Sequence, residues 1–190
     1  MSLLTMNTSE QAKAFFKFWM DACGQRREVL SRDLSNAPLF TAHVLNERNS
    51  IIDVVAAAMN LRCYSGYYSI DAVLFKDPED LVPNAPPGTT WIRRIRVAFE
   101  HENFFNSGLF TEVSHLLITD CDLRVLVSYP ESEDDLDYQL KYLHEIIAGT
   151  DRSKQISEAS SFLFIVDTVG KRLEWQAYVY RSDAWQSLPP

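Results

Sequence analysis

The chain has 190 residues, 46% of them hydrophobic and 12% aromatic, enough for one domain with a continuous core and too apolar for a disordered chain. Its 18 basic and 26 acidic residues give a formal net charge of −8, which weighs against indiscriminate binding to phosphate backbones but leaves room for a local basic cluster, densest at Arg93, Arg94 and Arg96. No apolar run approaches the roughly 18 residues that cross a bilayer, no charged-then-apolar export signal opens the chain, and Cys23, Cys63 and Cys121 are too widely spaced for a Cys-x-x-Cys site, so a cytoplasmic protein with free thiols is expected.

Thr8-Ser9-Glu10-Gln11 has capping-box spacing, and Ala12, Phe15, Phe16, Trp19 and Cys23 follow at helical period before Gly24. Residues 25–36 are polar and broken. Asn36 followed by Pro38 then opens a second predicted helix, running to about residue 60 with Phe40, Val44, Ile51, Val55 and Ala58 as its apolar stripe. Glu47 falls on that stripe. Its carboxylate is therefore expected to point inward, toward a partner such as Arg48 or toward the same acidic site as Glu100.

Residues 61–64 and 67–75 read as two strands joined at Ser65-Gly66, the second carrying Asp71 among apolar neighbours, where an uncompensated carboxylate is costly. A polar loop over 76–90 with four prolines separates it from a third strand over 93–103. On that strand Ile95, Val97 and Phe99 share one face and Ala98, Glu100 and Glu102 the other, so two like charges stand side by side and call for a cation or a proton. If the two strands pair about the loop centre near Ala85 and Pro86, Asp71 and Glu100 become cross-strand neighbours. Alternation sends the ring of His101 to the opposite face from both glutamates.

Residues 106–119 read as an amphipathic helix with Asn106 or Ser107 as cap, and 123–129 as an inner strand covered on both faces. Ser132 caps a helix that ends at Gly149, with acidic residues in its first turn; 150–160 is a polar loop or short helix. Two last strands are predicted at 161–166 and 173–181, turned over 167–171. The chain has no internal repeat and no interdomain linker, so residues 1–190 form one domain. The phosphate loop, dinucleotide fingerprint, nucleophile elbow and His-Glu-x-x-His zinc motif are all absent.

The order helix, strand, strand, strand, helix, strand, with Asp71 on the second strand and Glu100-x-Glu102 at the end of the third, resembles the PD-(D/E)XK nuclease superfamily over about residues 38–129. The resemblance implies an α/β fold with a restriction-endonuclease-like αβββαβ core, a mixed sheet flanked by helices. Residues 1–37 and 130–190 then add an N-terminal helix and a C-terminal helix plus β-hairpin. It implies Mg²⁺, with Mn²⁺ as substitute, held by Asp71, Glu100 and the main-chain carbonyl of His101, with Glu47 completing the site. Ile70 stands where the family name has Pro, and Glu102 stands where Lys is usual. His115, following Glu112 on the next helix, is similar in placement to relocated basic residues of other members.

The expected activity is metal-dependent phosphodiester hydrolysis of nucleic acid, with DNA as the expected partner and Glu102 orienting or deprotonating the attacking water. A homodimer is the expected way to cut two strands. The alternative is a catalytically silent member of the fold that serves as a binding or regulatory module.

Overall fold

The structure is a computed structural model that describes residues 8–103, 105–167 and 173–189. Its centre is a seven-stranded mixed sheet in sequential order, β1 (Arg62–Tyr67), β2 (Ile70–Phe75), β3 (Ile95–His101), β4 (Cys121–Ser128), β5 (Phe162–Asp167), β6 (Trp175–Arg181) and β7 (Ala184–Leu188). β3, β4 and β5 run parallel, and the remaining neighbours are antiparallel. The parallel strands are buried on both faces and read as apolar runs, because helices cover them from either side.

One face carries α1 (Thr8–Gln25), α2 (Arg27–Asp33), α3 (Ala37–Thr41) and α4 (Ile51–Ala58). Phe15, Phe16 and Trp19 of α1 pack there on Phe99, Val125 and Ile165. The other face carries α5 (Phe105–Ile118), α6 (Glu133–Ala148) and α7 (Ser153–Ala159), with Val113, Leu116, Leu143 and Ile156 over Val73, Ala98, Leu126 and Phe164. Successive residues of β3 therefore look into different layers: Phe99 and His101 toward α1 and α3, Ala98 and Glu100 toward α5.

Three local predictions differ from what is found. The first hairpin turns at Tyr68-Ser69, both at positive φ (48° and 66°), and Ser65-Gly66 lies inside β1. The pairing of Tyr67 with Ile70 extends the hydrogen-bonded ladder further than the better turn chemistry of Ser-Gly implied. The helix expected from residue 38 to 60 is interrupted. After α3 comes one π turn (Ala42–Asn46), Glu47 is extended (ψ 153°), Asn49 is left-handed (φ 60°), and α4 starts afresh at a capping box in which Ser50 and Asp53 exchange hydrogen bonds of 3.3 and 3.1 Å. The seventh strand was not anticipated; it returns from β6 through Ser182 and Asp183, both at positive φ (52° and 55°). Most of the predicted turn at 167–171 lies outside the described residues.

Among the described residues no helix is long and apolar enough to cross a membrane. The three cysteines are free.

Candidate functional site

β2 and β3 pair antiparallel with Ala72 opposite Phe99, so the next pair outward is Asp71 and Glu100. The two residues are tied twice: the Asp71 main-chain N–H donates to Glu100 Oε2 at 3.1 Å, and the His101 N–H donates to Asp71 Oδ2 at 2.8 Å. Each carboxyl group thus accepts a main-chain hydrogen bond from the neighbouring strand, which fixes both side chains on the α5 side of the sheet.

Glu112 and His115, one turn apart on α5, meet this pair from above. His115 Nδ1 lies 3.2 Å from Glu100 Oε1 and 3.5 Å from Glu112 Oε2. Among the described residues, Glu100, Glu112 and His115 form the set of possible metal ligands whose donor atoms all lie within 4.8 Å of one another. The position of α5 is itself anchored. Buried Arg124, on β4, donates from Nε to the carbonyl of Leu116 (2.9 Å) and from Nη2 to that of Thr119 (2.8 Å), satisfying the helix C-terminus and favouring its negative dipole end.

Glu100 has no exposed surface. Burial, then the charges of Glu112 and Asp71, push its pKa up to about 10, so at neutral pH the carboxyl keeps a proton unless another positive charge takes its place. Asp71 is also raised, by burial first, against the opposing pull of the His101 N–H. The clustered carboxyls of Glu100 and Glu112 with the His115 imidazole make a coordination set of mixed hardness, suited to a divalent cation that accepts oxygen and one nitrogen, and Asp71, though tied to Glu100, is not one of the three clustered ligands. Mn²⁺ matches that set at least as well as Mg²⁺.

The remaining predicted residues fall elsewhere. Glu47 is not an inward-facing support for the acidic pair. The break after the π turn moves it off the helical stripe and leaves its side chain 43% exposed, on the opposite layer of the sheet. There it accepts from His43 Nδ1 at 2.8 Å, and Arg26 approaches at 3.9 Å. The imidazole of His101 sits on that same α1 side, buried, with Nε2 2.7 Å from the Tyr129 hydroxyl and its ring stacked near Phe40. Burial drops its pKa to about 3, which leaves a neutral core histidine. Glu102 follows the last residue of β3, is partly buried, and donates its main-chain N–H to Val127 at 2.9 Å. It is not one of the three clustered ligands.

The basic cluster is largely spent on structure. Arg96 forms a two-pronged pair with buried Asp80 (2.6 and 2.7 Å), Arg94 binds both oxygens of Asp122 (3.2 Å each), and Arg93 donates to the carbonyl of Glu79. The Arg93 and Arg96 bonds pin the proline-rich loop to the start of β3, and the Arg94 bonds tie that start to β4. Glu112 was not singled out from the sequence as a ligand; the available signal was Glu-x-x-His, a spacing that sets two donors on one helical face. No protein-family model and no curated protein matches the chain.

Proposed function

We propose that the protein hydrolyses phosphodiester bonds of nucleic acid with the help of a divalent cation, Mg²⁺ or Mn²⁺, at the Glu100, Glu112 and His115 cluster with Asp71 beside it. The observation that carries this reading is Glu100: a fully buried carboxyl at a strand end, next to two further carboxylates, with its pKa pushed up to about 10. Such an arrangement is costly as scaffold and useful as a cation site. The order of elements, with Asp71 beside Glu100 across one hairpin and a helix leading back over them, supports reading the core as restriction-endonuclease-like.

In this reading Glu100 and Glu112 supply carboxylate oxygens and His115 a ring nitrogen, while Asp71, oriented by the His101 N–H, stands beside them as a further oxygen. A bound divalent cation would polarise the phosphate and lower the pKa of water. Glu102, at the rim of the same strand end, takes the water's proton. Asp71 and Glu100 hold their positions through backbone bonds rather than through each other's charge, so the pair survives changes in protonation.

The second reading, a silent member of the fold that binds a partner, is favoured by one observation. The clustered set contains an imidazole and no lysine or arginine, so the cation usual in the catalytic motif of the resembled superfamily has no counterpart in it. Incubation of the folded protein with single-stranded, duplex and plasmid DNA in Mg²⁺ or Mn²⁺ separates the two. Hydrolysis is expected in the wild type, with Glu100→Gln and Glu112→Gln each lowering it by about 100-fold or more. Intact substrates in every condition would leave the silent reading.

A further inference from the structure

Beside the acidic cluster, between the β1–β2 turn and α5, lies a cleft of about 290 Å³ lined by Tyr67, Tyr68, Ile70, Ile95, His115, Ile118 and Thr119. His115 is common to both: its Nδ1 faces Glu100 and Glu112 while its ring walls the cleft. A group seated in the cleft is therefore adjacent to whatever occupies the cluster.

The aromatic wall is built in an unusual way. Tyr67 is fixed, its hydroxyl accepting from the Ile92 N–H at 3.2 Å and its ring meeting Tyr64 and Tyr68 edge-on at 5.5 and 4.8 Å. Tyr68 is 82% exposed and occupies the first position of the two-residue turn at φ 48°, a conformation that turns normally give to Asn, Asp or Gly. A bulky residue is strained there and gains little burial in return, and such strain at an exposed aromatic points to use. Ile118 on the facing helix is 76% exposed as well.

Charge decides what the cleft receives. The arginines near the lining residues in sequence are engaged, Arg94 and Arg96 with Asp122 and Asp80, Arg62 with Asp77 and Arg124 with the carbonyls of Leu116 and Thr119, and the chain carries a net −8, so neutralising a run of duplex phosphates is not the means of holding a nucleic acid here. A flat, uncharged, aromatic group suits the cleft instead, and unpaired nucleobases stack on tyrosine with little regard to sequence. We propose that this cleft takes an unpaired nucleobase of the strand whose phosphate lies at the acidic cluster, so that the substrate is a single-stranded or locally opened nucleic acid. The proposal rests on the hydrolytic reading for the identity of the strand, and its test is separable from that reading.

The test is fluorescence anisotropy of the full chain in Ca²⁺ with a labelled oligothymidylate, its ribose counterpart, the same backbone made of abasic sites, and a hairpin duplex. Either sugar serves the proposal, and the two arms tell DNA from RNA. The base-bearing single strand is expected to bind at least about tenfold tighter than the abasic strand and the duplex, and Tyr68→Asn to lose about tenfold to 100-fold while Tyr68→Phe keeps the affinity. Asn accepts the turn conformation, and unchanged melting of the variant shows that the fold is intact. Equal affinity for abasic and intact strands, no binding by the wild type, or a Tyr68→Asn effect confined to self-association overturns the proposal. If the stacking signature is present and nothing is cleaved, the hydrolytic reading falls and the cleft stands. If the wild type cleaves single strands and Tyr68→Asn does so with unchanged KM, the cleft falls and hydrolysis stands.

Discussion

Glu100 is an acid whose native pKa, about 10, lies far above its ordinary 4.5, and this has a defined effect on stability. Between those two values the native state holds a proton that the unfolded chain releases, so unfolding free energy falls as pH rises through that window. Glu100→Gln keeps shape and removes the titration. In metal-free protein it is expected to flatten the slope and to stabilise by about 1–3 kcal/mol near pH 8, with no gain near pH 4. Chemical denaturation of both proteins across pH checks this; parallel profiles would mean that Glu100 is solvated. The Asp71 and Glu100 pair was legible in the sequence because one loop joins the two strands and its centre sets their register. Glu112 and His115 were less so, since a charged pair three residues apart on an amphipathic helix reads equally well as a solvated face.

The segment between α3 and α4 shows how an element can hide a residue's role. Periodicity carried a helix through residues 38–60 and turned Glu47 inward, whereas the π turn and the fresh cap at Ser50 shift the phase and turn it out. Ser50-x-x-Asp53 was the sign of a new start. In place of a metal role, Glu47 and Asp33 hold His43 between them at 2.8 Å on either side. Burial alone would lower the His43 pKa, but its hydrogen bonds to Asp33 and Glu47 outweigh that and raise it; Arg32 and His43 together hold Asp33 well below the usual carboxylate range. A raised histidine stabilises fully below its unfolded pKa of about 6.5 and loses that contribution as pH rises through the folded value. Glu47→Gln is accordingly expected to cost roughly 1 kcal/mol near pH 6 and less near pH 9, and to leave any cleavage activity unchanged. Loss of cleavage in a folded Glu47→Gln protein would return Glu47 to the site.

At the scale of the molecule, the sheet sorts chemistry by layer. The α1 side is a packed core, with Phe40, Tyr129 and the neutral His101 in mutual contact and Trp19 against Phe99 and Trp175, while the α5 side carries the acids at the end of β3. This sorting was readable from the alternation of β3 and the apolar runs of β4 and β5; the edge strand β7, short and largely exposed, was not, because little of it faces the core. The proposed divalent-cation site would relieve repulsion among Asp71, Glu100 and Glu112. Ligand linkage gives about 2.7 kcal/mol of stabilisation at 100 times the dissociation constant, or roughly 5–10 °C in melting temperature for a domain of this size. Thermal unfolding of the metal-stripped protein against Mn²⁺ or Mg²⁺ is therefore the most direct measurement: the wild type is expected to show that rise and Glu100→Gln to lose it, whereas a flat response in a well-folded wild type, matched by the variant, would contradict a metal site at this cluster.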